Sequence, residues 1–104
     1  MSFVKVAELG ELSEGAMKVV RVGNTQITLA NVGGTVYAFD NECTHDGGPL
    51  AEGELKECVV TCPWHFSSFD IRTGAIVDSP AEEPIAVYEV KTEADGIYVG
   101  GQAS

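Results

Sequence analysis

Apolar and polar positions alternate along this chain in short runs, and nowhere do they sustain the spacing of an amphipathic helix. Ala16 to Val22 and Gln26 to Val32 read as two strands around a tight turn at Gly23-Asn24. Gly33-Gly34 leads on to a third strand, Thr35 to Phe39. Ile85 to Thr92 and Ile97 to Val99 predict a further hairpin, with a turn containing Asp95-Gly96. Glu57 to Thr61 is a β-branched run that predicts another strand, with Cys58 as a buried small hydrophobe. Only Glu8 to Leu12 suggests a helical turn. The expected fold is all-β, an antiparallel sandwich or barrel-like domain.

The middle third breaks this pattern. Asp40 to Gly53 is polar and Gly-rich, a loop of a length that is usually functional. A second loop runs through Ser67-Ser68-Phe69-Asp70 into a turn at Thr73-Gly74, and a third, Asp78 to Pro84, carries Pro80 and Pro84. Within the first two lie the residues with the strongest chemistry, Cys43-Thr44-His45 and Cys62-Pro63-Trp64-His65, separated by sixteen residues. Both histidines and two of the three cysteines of the chain fall in these clusters. Two Cys and two His can complete an iron–sulfur centre in which His replaces Cys on one of two irons. The competing reading is a structural Cys₂His₂ zinc site, but such sites usually pair Cys with Cys and His with His. Here each loop mixes the two ligand types.

Composition narrows the setting. A chain of 104 residues, read as one domain over 1–104, is long enough for a modest core. No apolar run approaches bilayer length, and the start MSFVKVAELGE lacks the features of a signal peptide, so a cytoplasmic protein without a membrane partner is expected. With Cys43 and Cys62 taken as ligands, no disulfide is possible unless two chains pair through Cys58, which fits a reducing compartment. The formal charge of −10 argues against nucleic acid, which requires a basic footprint. That charge serves either solubility or steering toward basic faces of redox partners.

The residues around the ligand candidates, CTHDGG and CPWHFSSFD, resemble the Rieske [2Fe–2S] family. The likeness extends to Val36-Tyr37-Ala38-Phe39, to FDIRTG (Phe69 to Gly74) and to the ending DG-I-Y-V (Asp95 to Val99), and so covers almost the whole chain. It is similar to the small ferredoxins that serve bacterial ring-hydroxylating oxygenases. The resemblance implies a two-sheet antiparallel β-sandwich carrying a small cluster-binding subdomain, roughly residues 40–80. It implies one [2Fe–2S] cluster, with Cys43 and Cys62 on the inner iron and His45 and His65 on the outer one. It also makes Asp78 to Pro84 the proline-containing loop that covers the cluster, where the residues alone equally suit a rigid surface connection.

Departures from the family pattern carry expectations of their own. The positions of an additional loop-bracing disulfide in high-potential relatives are here Gly48 and Trp64. Ser67 stands where a hydroxyl donor to the cluster is found, Phe69 replaces a donor Tyr, and Phe66 occupies a place that is often Gly. A potential in the lower half of the Rieske range of about −150 to +300 mV is therefore expected. Trp64 is expected to shield the cluster. The function implied is a soluble electron carrier between an NAD(P)H-dependent flavoprotein reductase and a terminal oxygenase. With no nucleotide fingerprint and both histidines already spent, the chain has no catalytic site of its own. A small Rieske subunit of an assimilatory nitrite reductase or another oxidoreductase complex is the alternative, and a zinc-stabilised binding module is a third reading.

Overall fold

The computed structural model describes residues 3–44, 47–64 and 66–103. Its strands are β1 (Val4–Ala7), β2 (Met17–Val22), β3 (Thr25–Val32), β4 (Thr35–Asp40), β5 (Glu54–Lys56), β6 (Val59–Thr61), β7 (Ser68–Asp70), β8 (Ile76–Asp78), β9 (Val87–Glu93) and β10 (Gly96–Ala103). They form two antiparallel sheets, one in the order β1-β10-β9-β4-β3-β2 and one in the order β5-β6-β7-β8. The edges β1 and β2 of the larger sheet touch, so that sheet curls into a barrel around Leu12, Ile27, Leu29, Ala38, Ile97 and Val99. The all-β expectation holds. The helical element near Glu8 is a short 3₁₀ turn, Leu9–Glu11. No helix among the described residues is long and apolar enough to cross a membrane.

Strand β3 explains how the two sheets are joined. Its residues Ile27, Thr28, Leu29 and Ala30 are all buried, because both faces of the strand are covered. Ile27 and Leu29 belong to the barrel core, while Ala30 joins Phe39 of β4 in a second core. That second core takes Val60, Phe69 and Ile71 from the smaller sheet and its following turn. The barrel is thus the platform on which the smaller sheet is seated.

Two elements differ from the sequence expectation. Cys58 is not in a strand: Lys56 pairs with Val59, so Glu57-Cys58 is the reversal of the β5–β6 hairpin, with Glu57 at φ 54. The thiol is half-buried against the second core, and the Cys58 carbonyl accepts a bond from the Ile71 amide at 2.9 Å. Likewise the β9–β10 reversal is Ala94-Asp95, because Glu93 pairs with Gly96. Gly96 instead marks a close approach to β1, where a Cβ atom would lie 2.6 Å from the Ala7 carbonyl oxygen.

A buried polar group fixes the first ligand loop to the barrel. The Asn41 side-chain oxygen accepts from the Thr28 hydroxyl at 2.9 Å and from the Ala51 amide at 3.0 Å. Its backbone accepts from Leu50 at 2.7 Å and donates to Gln26 at 3.2 Å. Asn41→Ala strands two buried or half-buried donors at once, so it should cost about 2–3 kcal/mol. Thr28→Val removes one donor and leaves the other bond intact, so it should cost roughly 1 kcal/mol or less. Urea unfolding of both variants checks this, and equal losses would contradict Asn41 as the hub.

Candidate metal centre

Each candidate cysteine opens a six-residue hairpin tip, and the two tips have the same backbone design. In the first, the hairpin stem is the Asn41–Leu50 bond followed by the Glu42–Pro49 bridge. The Cys43 amide then donates to the Gly48 carbonyl at 2.9 Å, and the Gly47 amide donates back to the Cys43 carbonyl at 2.8 Å. In the second, Thr61 of β6 pairs with Ser68 of β7. The Cys62 amide donates to Ser67 at 2.8 Å, and the Phe66 amide donates back to Cys62 at 3.1 Å. His45 and His65, with Asp46 beside the first, lie outside the described residues.

The fifth residue of each tip has a left-handed backbone, Gly47 at φ 77 and Phe66 at φ 64. This is the conformation that glycine tolerates without penalty and that costs an ordinary residue roughly 1–2 kcal/mol. It gives the physical reason a glycine suits the Phe66 position.

Cys43 and Cys62 are both buried and both belong to the second core, with Leu50, Phe69, Ala81 and Ile85 around them. Neither is in a disulfide, and Gly48 is buried in the first tip. Two cysteine side chains brought from separate loops into one apolar core form one half of a two-Cys, two-His donor set, which fits a [2Fe–2S] centre.

The third loop closes over both tips. The Ala81 amide donates to the Ser67 hydroxyl oxygen at 3.0 Å, and the Thr44 hydroxyl donates to the Glu83 carbonyl at 2.6 Å. Ala81 is itself buried in the same core as the cysteines. Ser68 adds a bond to Asp78 at 2.7 Å. The loop over Asp78 to Pro84 is thus a cover, not only a surface connection. Below the second tip, Arg72 grips Asp70 through its backbone at 2.9 Å, its Nε at 3.0 Å and its terminal nitrogen at 2.8 Å. The Arg72 guanidinium holds the Asp70 carboxyl below the usual carboxylate range. This clamp shapes the turn that returns Ile71 to the core.

Sequence reasoning singled out the two Cys/His loops and Ser67 but missed Asn41 and the Thr44–Glu83 tie. A polar Thr28 inside an apolar strand was the available signal for the first. Trp64, expected as a shield, is 55% exposed, and Phe66 is 70% exposed. Neither is packed into the core, because the tip turns their backbone outward while Cys62 and Ser67 turn inward. Residues 40–53, 62–67 and 78–84 contain no Lys or Arg, while Glu42, Glu52, Asp78, Glu82 and Glu83 lie among them.

The Rieske [2Fe-2S] domain family matches residues 2–89. Ferredoxin CarAc of Metapseudomonas resinovorans is 34% identical over 96% of this chain and 94% of its own length. The ferredoxin component of biphenyl 2,3-dioxygenase from Rhodococcus jostii is 35% identical over 95% and 92% of the two chains. Among solved structures, a complex of reduced oxygenase and oxidized ferredoxin in carbazole 1,9a-dioxygenase contains a chain that is 33% identical with a TM-score of 0.90. That match covers 98% of this chain and 95% of the other. With the domain match spanning both hairpin tips, the chain belongs to the Rieske [2Fe–2S] family, and its cofactor is one Rieske-type [2Fe–2S] cluster.

Proposed function

We propose that this protein is the ferredoxin component of a ring-hydroxylating oxygenase system, a cytoplasmic carrier and not an enzyme in its own right. It takes one electron from an NAD(P)H-dependent flavoprotein reductase and passes it to a terminal oxygenase. The observation that carries this reading is similarity to ferredoxin components that covers nine-tenths or more of this chain and of theirs. The relative solved with an oxygenase supports the oxygenase as the acceptor.

In this reading the cluster-binding subdomain is roughly residues 40–80, with Cys43 and Cys62 on the inner iron and His45 and His65 on the outer. The bound cluster supplies a one-electron couple. Burial of Cys43 and Cys62 would keep water from the cysteine side of a bound centre. Cys43→Ser and Cys62→Ser should each lose bound iron and acid-labile sulfide, whereas Cys58→Ser should retain both. Iron and sulfide analysis with EPR of the reduced protein tests this. Retention in Cys43→Ser with loss in Cys58→Ser would reverse the assignment.

Ser67 accepts from Ala81, which leaves its own hydroxyl proton to donate toward a cluster sulfur. Phe69, fully buried, brings no hydroxyl, and the acidic surroundings further disfavour an added electron. The potential therefore belongs in the lower half of the Rieske range. Ser67→Ala should lower it by roughly 60 mV, since about 59 mV or 1.4 kcal/mol per electron is near the value of one charge-assisted hydrogen bond. The same variant should lose stability, because the Ala81 amide loses its acceptor. Protein-film voltammetry measures the first effect. A potential unchanged by Ser67→Ala would exclude the serine as a donor.

The acidic balance of the chain should also appear in its kinetics. Electron transfer to a basic-faced partner should slow as salt rises to physiological strength, where the screening length falls to about 8 Å. Stopped-flow rates at several ionic strengths test this, and a flat profile would assign the charge to solubility alone.

A further inference from the structure

We infer that Gly53 is a positioning residue for the metal centre: as a spacer of bare backbone it sets how closely the two cysteine-bearing tips stand, and it seals the seam between them. The inference rests on Cys43 and Cys62 as ligands and gives a residue outside both tips a part in aligning them. Gly53 follows the 3₁₀ turn Leu50–Glu52 that ends the first ligand loop, and its amide donates to the Leu50 carbonyl at 3.0 Å. Its backbone is extended, at φ −88, a conformation open to every residue. The torsion therefore does not call for glycine; the space does. A Cβ atom there would lie 1.9 Å from the Thr61 carbonyl oxygen, 3.0 Å from the carbonyl carbon and 3.1 Å from Pro63 Cδ. That approach is tighter than the ones at Gly74, Gly96 and Gly100, whereas a Cβ atom on Gly10 would meet nothing within 4 Å.

The two sides of this contact are the two ligand loops. Thr61 and Pro63 are the chain neighbours of Cys62. On the other side Leu50, bonded to Gly53, is bonded in turn to Asn41 at the stem of the Cys43 tip. Leu50 also shares one buried core with both cysteines. A side chain at position 53 has to part the loops by roughly 1.5 Å to restore ordinary contact, which lies near about 3.5 Å. A close-packed core passes such a displacement on to its neighbours. A groove of about 310 Å³ runs over the seam, with Gly53 and Pro63 in its lining and the fully buried Cys62 at its wall. Parting the loops deepens that groove toward Cys62. Gly53 thus acts on a bound cluster through the cysteines, by fixing their alignment and by keeping water from their side of the site.

The test uses the holoprotein and three readouts: EPR of the reduced form, the rate of iron loss to excess EDTA, and urea unfolding. Gly53→Ala should unfold cooperatively, show shifted g-values and lose iron about tenfold faster than wild type, the scale expected when the support behind metal ligands is disturbed. Pro63→Ala opens the same seam from its other side without adding bulk, and should also speed iron loss. Gly10→Ala, whose added methyl meets nothing, should match wild type. Val99→Ala lowers stability from within the barrel core and should keep the wild-type g-values. Wild-type g-values and iron-loss rate in Gly53→Ala overturn the spacer and leave the ligand assignment standing. Equal changes in Val99→Ala and Gly53→Ala also overturn it, since the centre would then report only overall stability. If Gly53→Ala shows no cooperative unfolding, Pro63→Ala decides: faster iron loss supports the seam, and a wild-type rate overturns it. A wild-type protein that holds no iron or sulfide overturns the cluster reading and the spacer with it.

Discussion

Two thiols separated by eighteen residues of chain have to meet inside one apolar core, and the two six-residue hairpin tips are what make that meeting possible. Left free, the loop from Asp40 to Gly53 has many conformations, and each ordered residue costs on the order of 1–2 kcal/mol of backbone entropy. The ladder from Asn41–Leu50 through Glu42–Pro49 to Cys43–Gly48 shortens the loop to a tip with its own two backbone bonds. The β6–β7 ladder does the same for Cys62. Each cysteine then sits at the first position of its tip, where the stem points its side chain into the core.

The tips are useful only if they hold still relative to each other, and that depends on the barrel. Asn41 connects the first tip to Thr28, a polar residue that the two-sided burial of β3 would otherwise leave without a partner. Phe39 and Ala30 carry the same strand pair into the second core, against Val60 and Phe69 of the smaller sheet. Across the top, Ala81 and Glu83 tie the covering loop to Ser67 and Thr44, one residue group from each tip. Three loops far apart in sequence thereby become one rigid site. Such support limits the rearrangement that accompanies gain or loss of charge at the centre.

The second tip divides its residues between two environments. Cys62 and Ser67 are buried, whereas Trp64 and Phe66 between them face solvent. The division follows from the tip geometry: a return bond from the Phe66 amide to Cys62 closes the loop, and the left-handed Phe66 redirects the chain before Ser67. An electron-carrying site needs this arrangement, with an insulated inner side and one face that a partner can approach. The acidic residues and the lack of Lys or Arg in the surrounding loops give that face a single sign of charge.

Much of this was legible in the chain itself. Strands β2, β3, β4 and β9, the hairpin turns at Gly23-Asn24 and Gly33-Gly34, and the two Cys/His clusters follow from local alternation, turn chemistry and spacing. These are properties of neighbouring residues, and neighbouring residues are what a sequence displays. The placement of Cys58 in a turn instead of a strand depended on the Lys56–Val59 pairing, and the Ala94-Asp95 turn on where β1 crosses Gly96. The Asn41 hub and the lock between Ser67 and Ala81 join segments ten or more residues apart. Sequence determined which residues are candidates to hold the centre. Only the tertiary structure decided which of them are buried and which face outward, because burial is set by the opposing surface and not by the residue's own neighbours.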